Sequence, residues 1–385
     1  MTRLHTRTMS RAAGLSLIEL MVALAIGSLL ILGLVQVFAA SRVASVTAEG
    51  VSRVQENGRF AIDFLQRDIR MAGHFGCVND QAHWVKNAGD LVNHLGTTNP
   101  ALNFDVTITG YEAVDTAPDD AVTIGAAVGT WIPTPPALSP APSAGSDIIA
   151  LRYLAEQGIP ADTLTAVSTQ TRVDFPAGRE SALTSGGVGT PTLFGVADCS
   201  AVEIFAGAIS GSSVLSSGLL PDGEFSAKFT SVADGGNTQL FRAESILYYV
   251  APGASGEPAL YRARANAAGT YTSEELVEGI ESLQFLYGRD ATASITLETP
   301  PLGNITLQDH AGILGADANQ WRRVGLVQVG VLARSPTPAV ASDPATAGAR
   351  PRVLGVQFDP PVVADSRHRH SYEVTVALRN RLFGN

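Results

Sequence analysis

Residues 11–42 read RAAGLSLIELMVALAIGSLLILGLVQVFAASR. From Leu20 to Ser41 there are 22 residues without a charge. At about 1.5 Å rise per residue, a helix of that length reaches roughly 33 Å, enough to cross a hydrocarbon core of about 30 Å. Three arginines, Arg3, Arg7 and Arg11, precede it and orient the N-terminus towards the cytoplasm. A secretory signal has a shorter apolar region and ends in a small-residue cleavage site, so this run is too long for one. A single acid, Glu19, stands at its start. An ionised side chain in hydrocarbon costs about 2.5–3.5 kcal/mol on the gentlest scales, so a plain anchor would do better without it.

The helical pattern continues past Arg42. Val43, Val46, Gly50, Val54, Gly58, Ala61, Leu65, Ile69 and Ala72 recur at three- and four-residue steps, which is one face of an α-helix. Glu49 with Arg53 and Asp63 with Arg67 add acid-before-base pairs four apart. No proline occurs before Pro100. The spacing predicts one nearly continuous helix from about Leu15 to Met71, apolar all round in its first half and amphipathic in its second, with Gly73 as its C-cap. The amphipathic half needs a partner surface, because its apolar stripe is not stable alone in water.

Beyond Cys77 the periodicity changes. Residues 85–145 are rich in Ala, Pro, Thr and Gly and read mostly as loop. Strand candidates follow at Asp147–Leu154, Ala201–Ile209, Glu224–Val232, Leu240–Ala251, Pro258–Arg264, Val277–Asp290, Arg322–Ser335 and Ser371–Arg381. In the last, Tyr372, Val374, Val376 and Leu378 alternate with Glu373, Thr375 and Arg379. Ala251–Arg262 reads as a hairpin with a Gly/Ser turn. The expected fold is α+β: a long helix packed on a largely antiparallel sheet with long loops. Its expected divisions are a leader (1–14), a transmembrane helix (15–41), its amphipathic continuation (42–73) and a β-rich head (74–385).

The net charge is −10, and setting aside the three leader arginines leaves the remainder at −13. So acidic a body argues against nucleic acid as a partner, because phosphate contacts need clustered Lys and Arg. The only cysteines are Cys77 and Cys199. Outside the cytoplasm a disulfide is the natural reading, closing a loop of roughly 120 residues that the entropy model values at about 4–5 kcal/mol; two separate buried thiols are the alternative.

Gly14, Leu15, Ser16, Leu17, Ile18, Glu19 and Leu20, following a short basic leader, resemble the class III signal of type IV prepilins and type II secretion pseudopilins. The resemblance implies that a prepilin peptidase cuts between Gly14 and Leu15 and methylates the new N-terminus. It also implies a role for Glu19 in filament assembly, pairing with the Leu15 amine of a neighbouring subunit. Such a buried pair sets register more than it adds stability. Arg67–Cys77, Ile246–Arg262, Leu276–Asp290 and Tyr372–Arg381 resemble the PilW family of minor pilins. That likeness implies a type IV pilin-like fold and a non-enzymatic role in priming pilus assembly, at the filament tip. The implied partners are other minor pilins, the major pilin, a large tip adhesin, the prepilin peptidase and the inner-membrane assembly platform. The implied location is the inner membrane before assembly and the pilus fibre after it. A type II secretion pseudopilin and a membrane-anchored surface-binding protein remain alternatives, and translation can start at Met1 or Met9.

No motif argues for catalysis, a cofactor or a metal. The cluster Asp365–His370 places His368 and His370 two apart, but arginines flank them and a metal site needs more ligands; it reads as a solvated turn. Asp115–Asp120 lacks the glycine and glutamate of a calcium loop. Gly186–Thr190 lacks the lysine of a phosphate-binding loop.

Overall fold

Helix α1 runs from Leu17 to Met71 without interruption. It is seen in a computed structural model that describes residues 14, 16–80, 89–126, 128–167, 169–218, 220, 228–292, 301–338, 350–361 and 365–381. Glu19 in the first turn and Arg70 in the last match the helix dipole. Gly73 follows with φ +74°, the left-handed conformation that ends a helix at low cost in glycine. By internal contacts the chain divides within α1 into two units, 1–49 and 50–385.

In the first unit the helix is exposed almost throughout. Val43 and Val46 are 43% and 40% exposed, so the buried stripe is shorter than the periodicity predicts. In the second unit the helix buries Gly50, Val54, Gly58, Ala61, Leu65, Asp68 and Ile69.

The second unit is built mainly on two largely antiparallel sheets, beside two small sheets of two and three strands among the described residues. The larger has 13 strands among the described residues, of which the main ones, in chain order, are β1 (Ile108–Ala113), β2 (Ile148–Leu154), β3 (Leu193–Ala197), β4 (Ala201–Ser210), β5 (Gln239–Pro252), β6 (Pro258–Ala265) and β7 (Tyr271–Glu278). Its path runs β1–β2–β5–β3–β4, and β6 joins β5 to β7. The smaller contains β8 (Ile280–Asp290), β9 (Ile305–Asp309), β10 (Val324–Arg334) and β11 (Arg369–Ala377), in the order β9–β8–β10–β11. One hydrophobic cluster joins α1 (Val54, Ala61, Leu65, Ile69) to both sheets through Leu151, Tyr248, Phe285, Val329 and Val376. Val376 on β11 and Leu378 just past its end are buried, and Tyr372 and Val374 pack beside them, as the alternation predicts.

Several boundaries differ from the sequence reading. Val277–Asp290 is two strands, broken at Gly279, whose φ of +78° turns the chain. A Cβ there would meet the Arg334 carbonyl oxygen at 2.7 Å. Within 85–145, Ile108–Ala113 is a nearly fully buried strand paired with β2; an Ala/Thr-rich composition hides strands that pack closely. The described part of Glu224–Val232 is not a strand, because Phe229 turns inward into a small cluster and the Thr230 carbonyl accepts from the Thr238 hydroxyl. The strand expected from Arg322 starts at Val324, since Ala318–Arg322 is a helix capped by Asp317. The last strand stops at Ala377, and Arg379–Arg381 forms a 3-10 turn that buries Arg381 against Asp80 at 2.6 Å. The leader expected over 1–14 lies, apart from Gly14, outside the described residues.

Candidate functional site

The N-terminal turn of α1 is organised by two side chains. Ser16 donates from its backbone N–H and its hydroxyl to Glu19 Oε2, both at 3.1 Å. The Ser16 hydroxyl oxygen accepts the Glu19 backbone N–H at 3.2 Å, and the Ser16 carbonyl accepts the first helical N–H from Leu20. This reciprocal arrangement is a capping box, which satisfies helix-terminal N–H groups that otherwise lack partners. Glu19 therefore does local structural work in the isolated chain. The signal for it, Ser-x-x-Glu before an apolar run, is legible in the sequence, yet the filament reading of Glu19 overlooks it. The carboxylate is exposed at a helix N-terminus, where it can also receive a cation. Gly14 is exposed, with open space around the position of a side chain. Leu15, the residue expected after the cut, lies outside the described residues.

The rest of the first unit presents an apolar cylinder. Leu17, Leu30, Leu34 and Phe38 are each about 70% exposed or more. Ser28 returns its hydroxyl to the Ala25 carbonyl at 2.8 Å, which removes a free donor from that surface. Exposed apolar area of this extent is stable only in lipid or against other apolar helices.

In the second unit, polar locks hold the helix on the sheets. Asp68, 7% exposed, accepts the Tyr248 hydroxyl at 2.6 Å and lies 3.4 Å from Arg262 Nη1. Burial first, and the Asp68 charge second, push the Tyr248 phenol well above its ordinary value, so it stays a donor. Asn57 donates to the Glu278 carbonyl at 2.8 Å, and the Tyr372 hydroxyl reaches the Val54 carbonyl at 3.3 Å. Gly58 lets the Tyr372 ring press on the helix backbone; any Cβ there would overlap the ring. Cys77 and Cys199 form a disulfide, with Cα atoms 4.7 Å apart, tying the end of α1 to the β3–β4 turn.

The Asp365–His370 segment is not the solvated turn expected. Arg369 pairs with Asp365 and Glu281, Arg334 bridges Glu281 and Glu257, and Arg367 meets Glu257 at 2.7 Å. This lattice ties β11 to β8, β10 and the β5–β6 turn. Among the described residues no three His, Cys, Asp or Glu side chains are grouped to hold a metal.

Two family models match the chain. Residues 247–380, from within β5 to the turn after β11, match the family described as Type IV Pilus-assembly protein W. Residues 9–35 match the Prokaryotic N-terminal methylation motif. No curated protein and no solved structure matches.

Proposed function

We propose that this chain, whose residues 247–380 match the family described as Type IV Pilus-assembly protein W and whose residues 9–35 match the Prokaryotic N-terminal methylation motif, is a minor pilin that enters the filament through α1. As a type IV pilin-like protein it is anchored in the inner membrane by the apolar half of α1, carries a pilus-associated head and works with other pilus components. The finer reading is the following. Prepilin peptidase removes the leader after Gly14 and methylates Leu15. The apolar helix then leaves the bilayer for the helical core of the filament. There Glu19 exchanges its hydrogen bonds with Ser16, or shares them, with the amine of a neighbouring subunit. The head works without catalysis, priming assembly at the tip with other minor pilins and a tip adhesin.

One observation carries this reading: the single carboxylate of an otherwise uncharged, exposed apolar segment is held at its first turn. Removing the gene and scoring surface pili against exoprotein secretion tests it. Loss of pili with secretion intact is expected; loss of secretion with normal piliation assigns the chain to a secretion pseudopilus instead.

A further inference from the structure

Arg152, on the central strand β2, is 1% exposed. Its Nη1 donates to the Val106 carbonyl at 2.6 Å and lies 3.4 Å from Thr109 Oγ1, and its Nη2 donates to the Pro100 carbonyl. Its Nε has no partner. No carboxylate among the described residues forms an ion pair with it. The comparably buried Arg242 and Arg381 each hold one, Glu244 at 2.7 Å and Asp80 at 2.6 Å. Arg323 lies in the field of Asp290, Asp309 and Asp317. A buried cation without an anion is costly, and proteins rarely leave one so.

Beside Arg152 is a cavity of about 380 Å³, lined also by Asn103, Thr109, Tyr111, Thr134 and Trp321. That volume falls in the range of small-molecule sites, about 300–1,000 Å³. Asn103, on the loop that Arg152 clamps at Pro100 and Val106, has a buried carbonyl oxygen with no donor. A purely structural role explains the bonds to the loop carbonyls. It leaves the unpaired charge, the idle Nε and the empty acceptor on Asn103 without an account.

We propose that this cavity binds a small hydroxy-carboxylate. The guanidinium of Arg152 provides the field and remaining hydrogens for the carboxylate, whose geometry a planar guanidinium matches. Asn103 Oδ1 accepts from a ligand hydroxyl. The site lies wholly in the unit 50–385 and stands apart from the filament reading.

The test is calorimetric titration of the detergent-solubilised full-length protein with sodium D-glucuronate, sodium lactate, D-glucose and sodium phosphate. Saturable binding of glucuronate or lactate is expected, with none for glucose and at least tenfold weaker binding for phosphate. Glucuronate alone marks the source as an acidic sugar; lactate binding equally well marks a simple hydroxy acid. Asn103→Asp places a carboxylate on the loop held by Arg152 and should weaken binding at least tenfold while leaving the melting temperature unchanged or higher. Thr134→Trp, filling the exposed mouth, should do the same without altering the charge. The proposal is overturned if neither carboxylate binds saturably, if phosphate binds as well as both, or if binding survives both substitutions.

Discussion

At the scale of single residues, Glu19 has two jobs that a pair of substitutions separates. Glutamine serves a capping box as glutamate does, whereas alanine removes the carboxylate half of the box and leaves only the Ser16 hydroxyl on the residue-19 N–H. If the charge serves assembly, Glu19→Gln and Glu19→Ala both abolish entry into pili. If only the cap matters, Glu19→Gln assembles normally, and immunoblots of sheared pili distinguish the two results. Asp68 is the acid whose importance the sequence hides. The i,i+4 rule points to Asp63 with Arg67, yet Asp68 faces the sheet and meets Tyr248, 180 positions away. Tyr248→Phe should cost about 1–3 kcal/mol in denaturant unfolding, since it leaves Asp68 buried with only the longer contact to Arg262. An unchanged midpoint would show the lock to be idle.

At the scale of elements, α1 was nearly all legible: its start, its two halves and its glycine cap follow from charge, hydropathy and a 3.6-residue period. The stripe overran because Val43 and Val46 fit the pattern while the burial begins only at Gly50. Gly58 looked like one more small residue of the stripe; its contact with Tyr372, 314 positions on, depends on register that no local pattern encodes. Gly58→Val should unseat β11 from the helix and lower the melting temperature, and Tyr372→Ala in the same chain should restore part of the loss. Strictly additive losses would contradict this contact. The disulfide was legible because only two cysteines exist. With the two 122 positions apart, replacing both by serine should cost up to about 4–5 kcal/mol in the chain-entropy model, read as a lowered unfolding midpoint under non-reducing conditions.

At the scale of the whole molecule, the sequence foretold a long helix on antiparallel sheet but not the division into two main sheets. That division turns on Gly279 and on long-range pairings such as β8 with β10. The candidate assembly turn was legible as a motif, whereas the Arg152 cavity was not, because much of its wall comes from the segment 85–145, read as loop, and the strand pattern of Asp147–Leu154 gives no sign that Arg152 lacks an anion. The buried charges also set a pH response. Nδ1 of His310 lies 3.3 Å from Glu112 Oε1, a charge contact off the line of a good hydrogen bond. Glu112 raises the His310 value, and Asp309 and Asp120 add to it, against the opposing effect of burial. A raised folded-state value contributes stability in full below the unfolded value of about 6.5, and that contribution is lost as pH rises through the folded value. Buried Asp147, also raised, acts in the same direction. The melting temperature should therefore fall between pH 6 and 8 more steeply in the parent chain than in His310→Gln; parallel curves would refute the assignment. The central claim, that this chain is processed and built into a filament, is tested most directly by mass spectrometry of pili sheared from the cell surface. The account predicts a peptide of this chain beginning at N-methylated Leu15. Recovery of the chain only from membranes, with the residues before Leu15 still attached, would contradict it.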